Sequence, residues 1–270
     1  MPNENFLQKG LPDSTPWSKI MDQKTLAFIN MYAVLGGLVK LCELVPEAKA
    51  ILGDSDTSVG FAVKDGPAAT FVFEDGKCTL KRGTEDCAIL IPFTTAEKFN
   101  GMIDGKVTPI PIKGFTKIGF LLNKFTKLTD LLTRYLRPSD EDLRDPVFFE
   151  KSTILMFHVI AGAICQIGNH DEVGKASAKY IVDGAVKMEI CGVASAALMV
   201  KNHRLTYSPR IPKKVMSYMQ FADIKTARDL FDGKINSVAS VGTGGVRMGG
   251  MISQIDNVNR ILSRVELYLR

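Results

Sequence analysis

The chain lacks the usual signatures of several protein classes. Its five cysteines, Cys42, Cys78, Cys87, Cys165 and Cys191, are odd in number, widely spaced and never arranged as C-x-x-C. Most sit among apolar neighbours, where a thiol behaves as a small hydrophobe. This usage excludes a disulfide framework and leads us to expect a reduced, cytoplasmic setting. Only three histidines occur, His158, His170 and His203, without H-x-x-x-H spacing and without a carboxylate three or four residues on. No metal site is expected from them. No G-x-S-x-G, Cys–His pairing or twin-carboxylate arrangement is present, so no catalytic residue is assigned and no enzyme is expected.

Charge of one sign is also scarce. With 34 basic and 29 acidic residues the net charge is +5, and the positive residues are spread along the chain. The densest cluster, Arg210-Ile211-Pro212-Lys213-Lys214, is short of the basic stripe that nucleic acid needs, so no nucleic-acid partner is expected. The N-terminus has no basic-then-apolar signal layout. The most apolar run, "STILMFHVIAGAICQIG" (152–168), is shorter than the roughly 20 residues of a membrane span and contains His158 and Gln166. The glycine-rich "VGTGGVRMGG" (241–250) matches neither phosphate-loop pattern, because Arg247 stands where a third glycine is required. It predicts a tight strand whose backbone approaches a neighbour closely.

What the chain does contain is a pattern written twice. "GMIDGKVTPIPIKG" (101–114) and "DLFDGKINSVASVG" (229–242) lie 128 positions apart with no gap between their Asp-Gly-Lys and their final glycine. The offset extends outward, as a search for repeats requires. Phe93 matches Phe221, and a short amphipathic helix follows in each copy. Its stripe is Ala96, Phe99, Met102 and Ile103 in the first copy and Ile224, Ala227, Leu230 and Phe231 in the second. Thr94 or Thr95, and Asp223, supply the N-cap oxygen. Asp104-Gly105 and Asp232-Gly233 end the helices.

Upstream of each short helix the alternation of β-branched and aromatic residues predicts hairpins, turning at Asp75-Gly76 and at Asn202-His203. Downstream, 106–114 and 234–242 predict a further strand, then a long apolar helix. Each copy opens with a helix apolar nearly all round, "TLAFINMYAVLGGLVKLCELV" and "STILMFHVIAGAICQIG", which must be buried on more than one side. The polar, proline-bracketed "PSDEDLRDP" separates the copies. The expected organisation is an N-terminal extension at 1–20, a first domain at 21–137, a linker at 138–146 and a second domain at 147–270.

The order "FEDGKCTL", "IPFTTAEKFNGMIDGKVTPIPIKG", then a long apolar helix, resembles the sterol carrier protein family of lipid-binding domains. "QFADIKTARDLFDGKINSVASVG" repeats the resemblance more loosely. It covers most of 20–137 and most of 147–270, so the chain looks like a tandem of two such domains. The resemblance implies an α+β fold, each domain a mainly antiparallel five-stranded sheet with helices on one face and an apolar tunnel between them.

The residues themselves leave core and cavity lining open for Phe99, Ile103, Phe115, Phe120, Leu121, Phe125 and Leu128 in the first copy. The same holds for Leu230, Phe231, Met248, Met251, Ile252 and Ile255 in the second. The resemblance implies that some of them line a pocket, to which flexible methionine and broad phenylalanine are suited. His158 and Asn30, each on an opening helix, read either as core residues bonded to a carbonyl or as polar anchors for a ligand headgroup.

The expected function is therefore non-enzymatic binding or transfer of a fatty acid, isoprenoid or other lipid, with no cofactor. Transient contact with a membrane surface and homo-oligomerisation are compatible with it. The alternative is a protein–protein interaction module whose two cavities have collapsed into solid cores.

Overall fold

Several helices among the described residues begin where a short polar side chain accepts an N–H that the first helical turn leaves unpaired, five of them at a Thr or Asp. These caps are Asp22, Thr95, Asp145, Asp171 and Asp223, each accepting from a backbone N–H two or three residues on. A computed structural model describes residues 21–269; the expected extension at 1–20, with Pro12, Pro16 and Trp17, lies outside the described residues.

In the first half, α1 (Gln23–Ile29) runs through a π-helical turn (Asn30–Val34) into α2 (Gly37–Leu44) and α3 (Pro46–Leu52). Four strands follow: β1 (Thr57–Val63), β2 (Ala68–Glu74), β3 (Lys77–Arg82) and β4 (Ile89–Phe93). Then come α4 (Ala96–Ile103), α5 (Ile118–Phe120), a second π-helical turn (Leu121–Phe125) and α6 (Thr126–Leu136). The second half opens with α7 (Pro146–His170) and α8 (Glu172–Ala178). Its strands are β5 (Gly184–Ile190), β6 (Ala194–Lys201), β7 (Arg204–Ser208) and β8 (Ser217–Phe221). It closes with α9 (Ile224–Phe231), α10 (Ser237–Gly242), β9 (Val246–Gly250), α11 (Ile252–Leu262) and α12 (Val265–Leu269).

The architecture is mixed α+β with two sheets, of strand order β3-β2-β1-β4 and β7-β6-β5-β8-β9. Four strands thus occur in the same order in both halves. The short helices α4 and α9 are 128 residues apart at both ends, and Gly105 and Gly233 follow them at φ 71° and 68°. The hairpin turns Asp75-Gly76 and Asn202-His203 have positive φ at both positions, as two-residue turns of this kind demand.

The structure corrects two expectations about the sheets. Neither is purely antiparallel: after β3 and after β7 the chain crosses to the far side of β1 and of β5, so β1 pairs β4 and β5 pairs β8 in parallel. The first sheet also has four strands rather than five. Only Leu90 pairs with the stretch expected as its last strand, through Ile112 N–H to Leu90 O at 2.8 Å and Leu90 N–H to Lys113 O at 3.2 Å. Pro92 on β4, and Pro109 and Pro111 opposite, have no N–H to extend that ladder.

In the second half Gln220 stands where Pro92 stands in the first; it pairs Arg247, and β9 forms. That strand comes from the glycine-rich 246–250, whereas 237–242, expected as strand, is α10. The close approach expected of the glycines is present: a Cβ on Gly250, at φ 108°, would overlap the Met216 carbonyl.

Helix α7 has 25 residues, so the length argument against a membrane span does not hold for it; both α7 and Gln23–Leu44 are long and apolar enough to cross a bilayer. Both are largely buried within the fold. They pack on each other, and α7 also lies against β6, β7, α6 and α9.

On the inner face of the first sheet, register aligns Val59 with Phe71 and Ile89, and Phe61 with Ala69 and Ile91. Phe61 meets Phe71 at 5.9 Å, Phe125 at 5.7 Å and Phe99 at 6.3 Å, while Phe73 meets Phe120 at 5.2 Å. These rings close the interior between sheet and helices. Replacing the fully buried Phe99 with Ala is expected to cost about 3–5 kcal/mol in urea or thermal unfolding. Ile112→Ser, on an exposed side chain, should stay within about 0.5 kcal/mol of the parent.

Candidate functional site

Strand register shows why the two interiors differ. The places of Phe61, Phe71, Phe73 and Phe99 in the first half are taken in the second by Met188, Leu198, Val200 and Ala227. Four rings become smaller or more flexible side chains. A cavity of about 950 Å³ lies elsewhere, lined by residues of both halves, and none of these four side chains reaches it.

Its walls come from both halves. The alternate residues Met219 and Phe221 of β8, and Val246 and Met248 of β9, form the sheet side, as a period of two requires. Met156, Val159 and Ile160 come from one face of α7. Leu230 and Phe231 close α9, and Leu262 and Val265 come from the last two helices. The first half contributes Leu26, Asn30 and Val34, spaced four apart on α1 and its π turn, together with Ile103 and Leu136 at the ends of α4 and α6.

Few polar groups face this space, and most are already tied. Asn30 is 6 % exposed and donates from Nδ2 to Asn100 Oδ1 at 3.0 Å; Asn100 donates in turn to Gln23. The π-helical bond from Leu35 N–H to Asn30 O, 2.8 Å, places this residue at the wall, and such turns recur at functional sites. Asp232 at the end of α9 holds Arg228 through two contacts, 2.9 and 3.0 Å, and Arg228 also donates to Ser152 Oγ at 2.9 Å. Position 228 is the equivalent of Asn100, so each short helix is fastened to an opening helix by one buried polar side chain.

On another wall Tyr268 donates to Asp171 Oδ2 at 2.7 Å, beside the Arg264–Asp171 ion pair at 2.7 Å. Burial alone would raise the Asp171 carboxyl, but hydrogen bonds from Arg264, Tyr268 and the Gly174 N–H outweigh it and hold it below its usual range. Burial, and then the neighbouring Asp171, push the Tyr268 hydroxyl up to about 12. Arg137, Asp104, Asn259 and Glu266 complete the polar lining. Among the described residues no group of three or more His, Cys, Asp or Glu is placed to hold a metal ion.

Of the side chains expected to line a pocket, Ile103, Leu230, Phe231 and Met248 do so. Phe99, Leu121, Phe125 and Leu128 are instead buried in the first core, with Phe120 packed against it. They belong to the interior that the rings fill. Phe115 and Ile252 point outward, 63 % and 75 % exposed, and Met251 is also exposed. Ile255 is half-buried on α11 and does not reach the cavity wall. The alternation in β8 and the four-residue spacing of Leu26, Asn30 and Val34 were signals in the sequence for lining that the terminal helices do not supply. The wall from α6 and α12 had none.

No family model matches the chain, and no curated protein matches it. Among solved structures it is similar to a protein titled UbiJ-SCP2 ubiquinone synthesis protein, at 14 % identity and a TM-score of 0.31 over 39 % of this chain and 93 % of that one. It is also similar to sterol carrier protein 2 of Yarrowia lipolytica in its apo form, at 16 % identity and a TM-score of 0.27 over 37 % and 91 %. A third likeness is to the stereoselective inverting sec-alkylsulfatase Pisa1 of Pseudomonas sp., at 11 % identity and a TM-score of 0.25 over 74 % and 58 %. Likenesses this faint say nothing of ligand or activity.

His158 lies outside the cavity wall; its Nδ1 pairs with the Tyr207 hydroxyl at 2.9 Å rather than with a carbonyl, fastening α7 to β7. Burial, with a smaller contribution from Lys40, pushes its imidazole down to about 4. His170, stacked on Phe28 at 3.5 Å, is likewise pushed down to about 4 by burial and by Arg204, Arg82, Lys175 and Lys24. An unfolded histidine titrates near 6.5. As pH falls below that value the unfolded chain takes up protons that the folded chain refuses. Stability is expected to be greatest above about 6.5, to fall towards about 4, and to lose nothing further from these groups below it. Urea unfolding across that window should show the slope, and His158→Gln should reduce it by about half, leaving the share of His170.

Proposed function

We propose that the chain is a non-enzymatic carrier of an apolar small molecule, such as a fatty acid, isoprenoid or other lipid, held in the cavity that both halves line. The observation that supports this best is a largely apolar cavity of about 950 Å³ walled by both halves. The volume is at the upper end of the roughly 300–1,000 Å³ of small-molecule sites. Burying a hydrocarbon chain there is worth about 0.8 kcal/mol per methylene before the cost of association. The ligand's polar end would meet Asn30, Arg137, Asn259 or Glu266, four of the polar groups of the lining.

In this proposal residues 21–137 and 147–270 are two sterol-carrier-like domains joined by 138–146. The shared strand order and the matching short helices support that division. The five unpaired cysteines agree with a reducing, cytoplasmic site of action. The filled first core favours part of the alternative as well: that domain supplies a wall of the shared cavity instead of acting as a second carrier.

Native mass spectrometry after exposure to lipid extract, together with displacement of a fluorescent fatty acid, tests the proposal. The parent chain is expected to retain lipid. Met219→Trp combined with Val246→Phe should lower affinity at least tenfold while the fold is kept, and Phe120→Leu in the first half should not change it. Lipid retained by neither assay, or unchanged binding in the filled variant, would defeat the proposal.

A further inference from the structure

The stretch from Gly105 to Thr129 contains five lysines, Lys106, Lys113, Lys117, Lys124 and Lys127, and no acidic residue and no arginine. With 34 basic and 29 acidic residues in all, the remainder of the chain is left with 29 of each. The net charge, which looks spread when only basic residues are followed, therefore resides in this one stretch. Its equivalent in the second half has Lys234, Arg247 and Asp256 and no such excess.

The same stretch carries the densest exposed apolar surface. Ile110, Ile112, Phe115 and Leu122 are each at least 60 % exposed and Ile118 is 40 % exposed. Because the fifth strand fails to form, the segment is fixed to β4 by a single pair of hydrogen bonds, and Ile110 and Ile112 have no sheet face to cover. Beside it is a small recess of about 340 Å³ that includes Lys117, Asn123, Lys124 and Ser55. Thr57 lines it too, and its hydroxyl makes no hydrogen bond among the described residues. Asp104 and Asp130 flank the stretch and no acidic residue lies within it. Lys106 pairs with Asp104 at 3.2 Å and Lys124 with Asp54 at 3.8 Å, while Lys113 and Lys117 donate to the carbonyls of Cys87 and Asp56 at the edge of the same surface.

We propose that the surface of residues 105–129 docks on an anionic lipid bilayer, with Ile112, Phe115 and Leu122 entering the headgroup boundary and the lysines meeting lipid phosphates. Apolar side chains interleaved with lysine fit an interfacial segment, because the lysine stem buries while the ammonium stays at the headgroups. A protein partner fits less well. Protein interfaces are depleted in lysine and enriched in arginine, and this surface has five of the one and none of the other. The segment begins directly after Asp104, which lines the cavity, so docking brings the cavity's edge towards the bilayer.

Flotation of the full chain with vesicles of phosphatidylcholine, and with vesicles about a third phosphatidylserine, tests this. The parent is expected to float with the anionic vesicles, several-fold less with the neutral ones, and less again at high salt. Ile112→Ser, Phe115→Ser and Leu122→Ser together should cut binding at least tenfold. Lys106→Gln, Lys117→Gln and Lys127→Gln together should remove the preference for anionic lipid. If the triple serine variant does not fold, Phe115→Ser alone and the salt series decide. The cavity-filled variant should float like the parent, which separates this proposal from that of a ligand in the cavity. Equal binding to both vesicles, full binding by a serine variant that is folded, or a parent dimer that the serine variant breaks into monomers would overturn it; the last would assign the surface to a second copy.

Discussion

Everything in this fold depends on two apolar helical stretches lying side by side. Gln23–Leu44 and α7 are each apolar round most of their circumference, and burying them draws on both sheets. The core assignments show the exchange: Phe148 and Leu155 of α7 pack into the first core, while Ile29 and Ala33 pack into the second. A Cβ on Gly162 of α7 would come within 3.2 Å of the Ala33 side chain, so the helices meet closely where a glycine allows it. Neither half completes its own interior. The separation into halves that the chain suggests is therefore one of topology, and the packing joins them.

That exchange explains why the cavity has walls from both halves. A space enclosed by one sheet and its own helices would be set by local sequence alone. Here Leu26, Asn30 and Val34 reach it because the first opening helix is already buried against α7. The polar anchors follow the same logic. Asn100 fastens α4 to α1, and Arg228 fastens α9 to α7, each from the same position of its short helix. Buried polar contacts of this kind specify one arrangement more than they add stability, and these two fix the short helices whose ends face the cavity.

Much of this was legible in the sequence because it is local. The N-caps Thr95 and Asp223, the turns after Asp104 and Asp232, the hairpin turns at Asp75-Gly76 and Asn202-His203, and the close-approaching glycines at 249–250 all depend on neighbours a few residues away. The parallel pairing of β1 with β4 was not legible, since alternation in a strand says nothing of its partner's direction. The missing fifth strand was hidden for a related reason: Pro109 and Pro111 stand in the segment itself, but the decisive Pro92 lies on the strand opposite. The difference between the two cores was half visible. The 128-residue offset sets Phe99 against Ala227 in the sequence, yet Phe61, Phe71 and Phe73 join that comparison only once strand register is known.

Each half has a packed core, and the cavity lies where residues of both halves meet. An apolar space lowers stability because its lining loses packing contacts, and a chain with two such spaces would lose them twice. Closing the first core with rings gives the shared helices a rigid side against which the cavity is held open. It also leaves the outer segment of the first half with a single bridge to the sheet, at Leu90 and Lys113. A strand there would have carried alternate side chains to the interior. Without one, Ile110, Ile112 and Phe115 remain on the surface among lysines. The prolines that prevent the strand and the rings that fill the core thus act together: the first half supplies one wall of the cavity from its helices and leaves an apolar, lysine-bearing segment on its outer side.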